Sequence, residues 1–275
     1  RTTKSKSRLD RYDDVASQQG PEVEKVVDVV IPPPPPMGNR ILDLLNVGYA
    51  YDGNPLFEDL EFNFQAGMRI GVVGRNGIGK TTLLKVIMGQ LEPKSGTVKT
   101  GQLIQFNYVD QNRVQLNPEH RVIEAISDGT DFVMFGTERL SLRAYLKRFL
   151  FADDRIDTKV KLLSGGERSR LLLATILKRG GNFIILDEPT NDLDLATLRV
   201  LEEALVSFPG VVMAVSHDRY FLNRVCTGIL AFEGHGRVDY SIGDYDYYLE
   251  KKARLQSGNQ KGGSQRSNTN AAKPK

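Results

Sequence analysis

The chain has 275 residues, 40% of them apolar, with 37 Lys and Arg against 34 Asp and Glu for a net charge of +3. That length suits one large domain with extensions or two small ones, with ample apolar content for a core. The single cysteine, Cys226, excludes an internal disulfide, the scattered His120, His217 and His235 make a poor zinc set, and no apolar run nears the ~18 residues of a membrane span, so a soluble, cytoplasmic protein is expected.

The chain begins with Arg rather than Met, and Ser7-Arg8-Leu9-Asp10-Arg11-Tyr12 resembles the last turns of a charged helix, so it reads as a fragment or a processed piece. Lys4, Lys6, Arg8 and Arg11 at the start, with Lys261, Arg266, Lys273 and Lys275 at the end, make both ends candidate contacts for an acidic partner such as RNA. Pro32 to Pro36 is a stiff polyproline segment, read as the end of a linker covering residues 1–38.

The folded domain is expected over residues 39–251. Ile41 to Val47 and Leu60 to Phe64 have strand patterning, with Asp52-Gly53-Asn54-Pro55 as the turn between them. Tyr51 stands where a ring can stack on a base, with Tyr49 and Phe57 as rivals and a packed core ring as the alternative.

Arg69 to Val73 reads as a buried strand and Thr82 to Met88 as a helix, and between them lies Gly74-Arg75-Asn76-Gly77-Ile78-Gly79-Lys80-Thr81. This matches the phosphate-loop pattern G-x-x-x-x-G-K-[ST] at every fixed position. Its glycines let backbone amides wrap an anion, the following helix adds its positive end, Lys80 reaches the outer phosphates, and Thr81 offers a hydroxyl to a magnesium ion.

Gly96 to Lys99 and Leu103 to Val109 read as strands, and Gln111 after the second is placed to touch magnesium or an attacking water. Between residues 118 and 180 a helical subdomain is expected, from the helical spacing of Val122, Ile123, Ala125 and Ile126 and then of Leu140, Leu142, Tyr145, Leu146, Phe149 and Leu150. Ser164 and Glu167 form a capping box at the start of a helix whose first turn holds Gly165 and Gly166. Two glycines there cost helix propensity, which makes sense where a phosphate must approach the amides.

Phe183-Ile184-Ile185-Leu186 is a strand buried on both faces that ends in Asp187-Glu188, where doubly wound sheets place ligands. Asp187 is expected to hold magnesium through water and Glu188 to orient and deprotonate the attacking water. Asp194 or Asp192 caps the next helix, Leu195 to Phe208. Strand Val211 to Val215 ends in Ser216-His217-Asp218, with His217 in reach of a γ-phosphate and Ser216 or Asp218 as cap. Strands near Ile229 to Phe232 and Val238 to Ser241 and a tyrosine-rich helix from Asp244 to Lys251 follow. Residues 252–275 read as a disordered basic tail.

Taken in order, G-R-N-G-I-G-K-T-T, Gln111, L-S-G-G-E-R, F-I-I-L-D-E-P-T-N-D-L-D and S-H-D-R resemble the nucleotide-binding domain of an ABC-type ATPase over residues 39 to about 251. The resemblance implies an α/β fold with a parallel-sheet core, an antiparallel β subdomain and an inserted helical subdomain. It makes Gly74 to Thr82 the phosphate loop and Tyr51 the adenine-stacking ring. Gln111 becomes the Q-loop residue, Asp187 the magnesium aspartate, Glu188 the catalytic glutamate, Asp194 the D-loop aspartate and His217 the switch histidine. Ser164, Gly165 and Gly166 would contact ATP on a second lobe, so ATP, magnesium and a partner lobe are all implied.

P-T-N-D-L-D with S-H-D-R resembles the ABC-F class, twin-ATPase proteins that act on ribosomes, and R-L-D-R-Y-D-D with I-P-P-P-P-P-M-G resembles the interlobe linker of its translational-throttle and Uup groups. A second lobe of such a protein is the expectation; an ABC transporter's ATPase subunit is the alternative. Two departures from the class pattern are Arg75 where proline is common and the longer proline run.

Overall fold

The computed structural model describes residues 31–109, 116–135, 137–190 and 193–263, with side chains to Leu255. Gln111, the basic opening from Lys4 to Arg11, Asp192 and the basic residues of the tail lie outside the described side chains.

An antiparallel sheet opens the domain in the order β2 (Asn54–Phe64), β1 (Leu42–Tyr51), β4 (Ser95–Thr100). A six-stranded sheet runs β11 (Arg237–Ile242), β10 (Gly228–Gly234), β3 (Arg69–Val73), β9 (Val211–Val215), β8 (Phe183–Asp187), β5 (Phe106–Val109), and all its pairings are parallel except β10 with β11.

The central strands read as continuous apolar runs because both faces are covered. Ile184, Leu186, Val212, Ala214, Ile229 and Ala231 join one hydrophobic cluster, which includes the helical subdomain. Phe183, Ile185, Val211, Met213, Val215 and Leu230 join another, shared with the antiparallel sheet and α1 (Lys80–Ile87). The two sets alternate along the chain as successive strand residues must. Most of these side chains are fully buried, and the larger ones, Val, Leu, Ile, Met and Phe, each stabilise the fold by about 1.5–3 kcal/mol through removal from water.

The inserted subdomain holds α2 (Val122–Ile126), α3 (Leu142–Arg148), α4 (Asp153–Ile156) and α5 (Gly165–Lys178). It is not wholly helical. Leu140, expected on a helix, lies in β7 (Glu138–Ser141), which forms a hairpin with β6 (Phe132–Phe135) and pairs Leu140 with Val133. After the hairpin Ser141 caps α3, its Oγ accepting from the Ala144 amide at 3.2 Å. This cap, rather than hydrophobic spacing, sets where the helix begins.

Capping likewise settles α6 (Leu195–Ser207) and α7 (Arg219–Val225). Asp194 Oδ1 accepts from Thr197 N at 2.7 Å. Asp218 Oδ1 accepts from Tyr220 N at 2.9 Å and Phe221 N at 3.2 Å, so Asp218 rather than Ser216 is the cap. Helix α8 (Tyr245–Gly263) runs past the point where the sequence turns rich in Gly and Ser.

The proline run lies against the domain. Ile31 is buried in the first cluster and Met37 packs on the second, and between them the Pro35 and Pro36 carbonyls each accept from Asn182 Nδ2 at 3.3 Å. Asn182 is fully buried, and its Oδ1 accepts from Gln105 N at 2.8 Å.

Candidate functional site

Strands β3, β8 and β9 run side by side and parallel, so the segments leaving their carboxyl ends meet at one edge of the sheet. From β3 comes the Gly74–Thr81 loop, from β8 Asp187 and Glu188, and from β9 Ser216 and His217. A cavity of about 260 Å³ lies there, walled by Asn76, Gly77, Gly79, Lys80, Thr81 and Thr82 of the loop together with Asp187, Glu188 and Val215. Gly79, the residue before α1, has φ 117°, and a Cβ there would stand 2.8 Å from Leu56 Cβ on β2, so only glycine lets the loop lie this close to the antiparallel sheet.

Lys80 is buried, and its Nζ donates to the carbonyls of Gly74 at 2.7 Å and Arg75 at 3.2 Å. Burial lowers its pKa from the ordinary lysine value, against the opposing pull of Glu188 and Asp187. Thr81 Oγ1 donates to Asp187 Oδ2 at 3.0 Å, and Tyr108 OH donates to the same oxygen at 3.3 Å. The Thr81 hydroxyl and the Asp187 carboxylate are hard oxygen donors of the kind magnesium takes, and two protein oxygens leave room for phosphate and water around the ion.

Glu188 adopts φ 51°, unusual for a side-chain-bearing residue, while its amide donates to the Val215 carbonyl at 2.9 Å. Its Oε1 then lies 3.4 Å from His217 Nε2. His217 Nε2 is also 2.9 Å from Asn76 Oδ1 and 3.3 Å from Lys80 Nζ. Two acceptor oxygens near Nε2 favour the tautomer that carries its proton there. The Glu188 carboxylate and the Lys80 ammonium thus both approach one imidazole nitrogen, at 3.4 and 3.3 Å.

Gly74, Arg75 and His217 line a larger cavity of about 730 Å³ bounded by α7, α8 and the β10–β11 turn. The phosphate-loop cavity is the one that holds the acid, the lysine and the threonine together. Of the three aromatic candidates, Tyr49 and Phe57 are buried and Tyr51 is half exposed at the end of β1, edge-on to Tyr49 at 5.1 Å. Tyr51 therefore has the free ring face. It lies outside the wall of the phosphate-loop cavity.

Ser164, Gly165 and Gly166 do not line that cavity. The capping box is present: Ser164 Oγ accepts from Glu167 N at 3.2 Å, and Ser164 N donates to Glu167 Oε2 at 2.8 Å. Arg155 holds Glu167 through two bonds of 2.7 and 2.6 Å, and this ion pair, assisted by Ser164 and opposed by burial, lowers the Glu167 pKa to about 2. Gly165 faces open space, as an approaching anion requires. Gly166 has a further reason to be glycine, because a Cβ would stand 2.9 Å from Asp194 Oδ2. Asp194 itself caps α6 and accepts from Arg170 Nη2 at 2.9 Å.

Arg170, Asn76 and Tyr108 were not singled out by sequence alone as partners of these groups. Tyr108, two residues before Asp110 on β5, carried only its alternation as a signal, and Arg170 carried none.

The ABC transporter family profile matches residues 57–191. The energy-dependent translational throttle protein EttA of Mycobacterium tuberculosis is 46% identical over 261 residues, and EttA of Escherichia coli K12 is 41% identical over 254. Each match covers 92% of this chain and 46% of the relative, so the chain spans about half the length of these curated relatives. Among solved structures, cbiO1 of Clostridium perfringens, described as part of the ABC transporter complex cbiONQ, aligns with TM-score 0.57 and 22% identity over 80% of this chain and 95% of that one, a likeness of fold. The chain therefore contains an ABC-type ATPase domain, and its homologues at this level of identity belong to the ABC-F class.

Proposed function

We propose that the chain is an ATP-binding and ATP-hydrolysing lobe that closes head to tail on a second ABC lobe and acts on ribosomes during translation. The reading is carried by the meeting of Lys80, the Thr81–Asp187 pair and the Glu188–His217 pair at the carboxyl ends of three adjacent parallel strands. In it the Gly74–Thr82 loop binds the phosphates, Lys80 reaching the outer ones, and Thr81 and Asp187, with Gln111, hold the magnesium ion. Glu188 takes the proton of the attacking water, the His217 N–H steadies the γ-phosphate, and Tyr51 stacks on adenine.

Ser164, Gly165 and Gly166, none of which lines the chain's own loop cavity, contact the nucleotide of the partner lobe, which makes an isolated lobe a weak ATPase. The EttA relatives, translational throttle proteins by name and about twice the length of this chain, support a translational role and a twin-lobe context.

Two measurements test this. Glu188→Gln is expected to bind ATP with undiminished affinity and to lose at least about a hundredfold in phosphate release; an unaltered rate would remove Glu188 from the mechanism. Co-sedimentation with ribosomes is expected to rise with a non-hydrolysable ATP analogue, and nucleotide-independent sedimentation would count against the ribosomal role.

A further inference from the structure

The cavity of about 730 Å³ beside the phosphate loop carries a set of groups that the chemistry above does not use. Leu222 of α7, Phe232 of β10 and Leu249 of α8 give it apolar walls, and Tyr245 and Tyr248 of α8 add two rings with centroids 5.8 Å apart. Tyr248 is buried and fixed in place: its hydroxyl donates to Glu233 Oε1 at 2.7 Å and accepts from Lys252 Nζ at 3.1 Å. Tyr245, one turn earlier, is only partly buried.

Charge decides what such a cavity accepts. Glu233 supplies a carboxylate to the lining, but Lys252 neutralises it at 2.5 Å. Arg75 also lines the cavity and forms no ion pair with another described residue, so the remaining charge is positive. A guanidinium fork matches a phosphate, a tyrosine ring offers a stacking face, and the volume suits a ligand of several linked groups.

The cavity is distinct from the one that holds Lys80 and Thr81. Those two residues do not line it, and neither Arg75 nor Tyr245 lines theirs. His217 stands between the two, lining the larger cavity while its Nε2 faces Glu188 and Lys80.

We propose that the larger cavity is a second nucleotide site, which takes a nucleoside 5′-monophosphate with its base on Tyr245 and its phosphate on the Arg75 fork. A free mononucleotide and the 5′-phosphorylated end of an RNA share this chemistry. The site goes beyond the ATPase reading and does not depend on it.

The test is titration of a fluorescent AMP analogue into the full chain. Arg75→Ala and Tyr245→Ala are each expected to weaken binding by about tenfold, through loss of a charge-assisted contact and of a stacking ring. Tyr245→Phe, which keeps the ring, and Lys80→Ala, which alters only the phosphate-loop cavity, should both stay within about twofold of the wild type. Displacement by a 5′-phosphorylated oligoribonucleotide, but not by its 5′-hydroxyl counterpart, would support the site and identify an RNA end as its ligand; displacement by AMP alone would support it with the free nucleotide as ligand.

No saturable binding of the analogue below about 1 mM would overturn the proposal. So would binding that neither Arg75→Ala nor Tyr245→Ala weakens, or binding that Lys80→Ala abolishes and Tyr245→Ala spares, which would put the probe in the phosphate loop. Failure of the chain to hydrolyse ATP would sink the ATPase reading and leave these results as they stand.

Discussion

Thr81 and Asp187, 106 positions apart in sequence, are joined by a hydrogen bond of 3.0 Å that ties the start of α1 to the end of β8. One group stands where the loop from β3 enters α1 and the other at the acidic strand end, so under the proposed function a magnesium ion entering here would be held by both sides of the cavity. Asp187→Asn is expected to weaken magnesium-dependent nucleotide binding by about tenfold or more, as loss of a charged oxygen ligand does, and to leave magnesium-free binding nearly unchanged. Titration with a fluorescent ATP analogue, with and without magnesium, measures the difference; equal losses in both arms would take Asp187 away from the ion.

The Arg155–Glu167 pair makes the start of α5 sensitive to acid. Glu167 has a folded pKa near 2 against an ordinary value of 4.5, so its contribution is present above pH ~4.5 and fades as pH falls towards 2. Glu167→Gln is expected to cost about 1–2 kcal/mol near neutrality, discounted for the partial exposure of both side chains. The gap between variant and wild type in thermal midpoint should narrow steadily below pH ~4.5. A gap that stays constant down to pH 2 would mean that the pair adds nothing.

Asn182 joins the proline strap, β5 and the start of β8. Besides the strap carbonyls, its Nδ2 donates to the Leu103 carbonyl at 2.9 Å. Asn182→Ala leaves buried polar groups without partners, and a loss of about 2–4 kcal/mol is expected, read from denaturant unfolding. Limited proteolysis should open the chain within residues 31–38 sooner in the variant. A variant with wild-type resistance there would show that Ile31 and Met37 hold the strap unaided.

Tyr51→Ala is expected to lower ATP affinity by about 1–3 kcal/mol, the range for a base stacked on an aromatic ring, with Tyr51→Phe retaining it. Isothermal titration of both variants checks this. Equal losses in the two would indicate that the hydroxyl, not the ring, makes the contact.

Whatever depends on neighbours in sequence was readable in advance. The phosphate loop is a matter of glycine and lysine spacing over eight residues. The capping box needs only Ser164 and Glu167 three apart, and the central strands announce themselves by unbroken apolar runs. These rest on local backbone chemistry, which a linear pattern encodes.

What the chain order could not convey was decided by pairing across long separations. Leu140 fits a helical spacing equally well but is drawn into β7 because Val133 of β6 lies opposite it. That Gly166 has Asp194 beside it from another helix is visible only in the packing, as is the burial of Tyr49 and Phe57 while Tyr51 stays exposed. Asn182 and Arg170 belong to no motif. Each matters because tertiary folding surrounds one polar side chain with partners from several segments, an arrangement that no spacing rule along a single segment records.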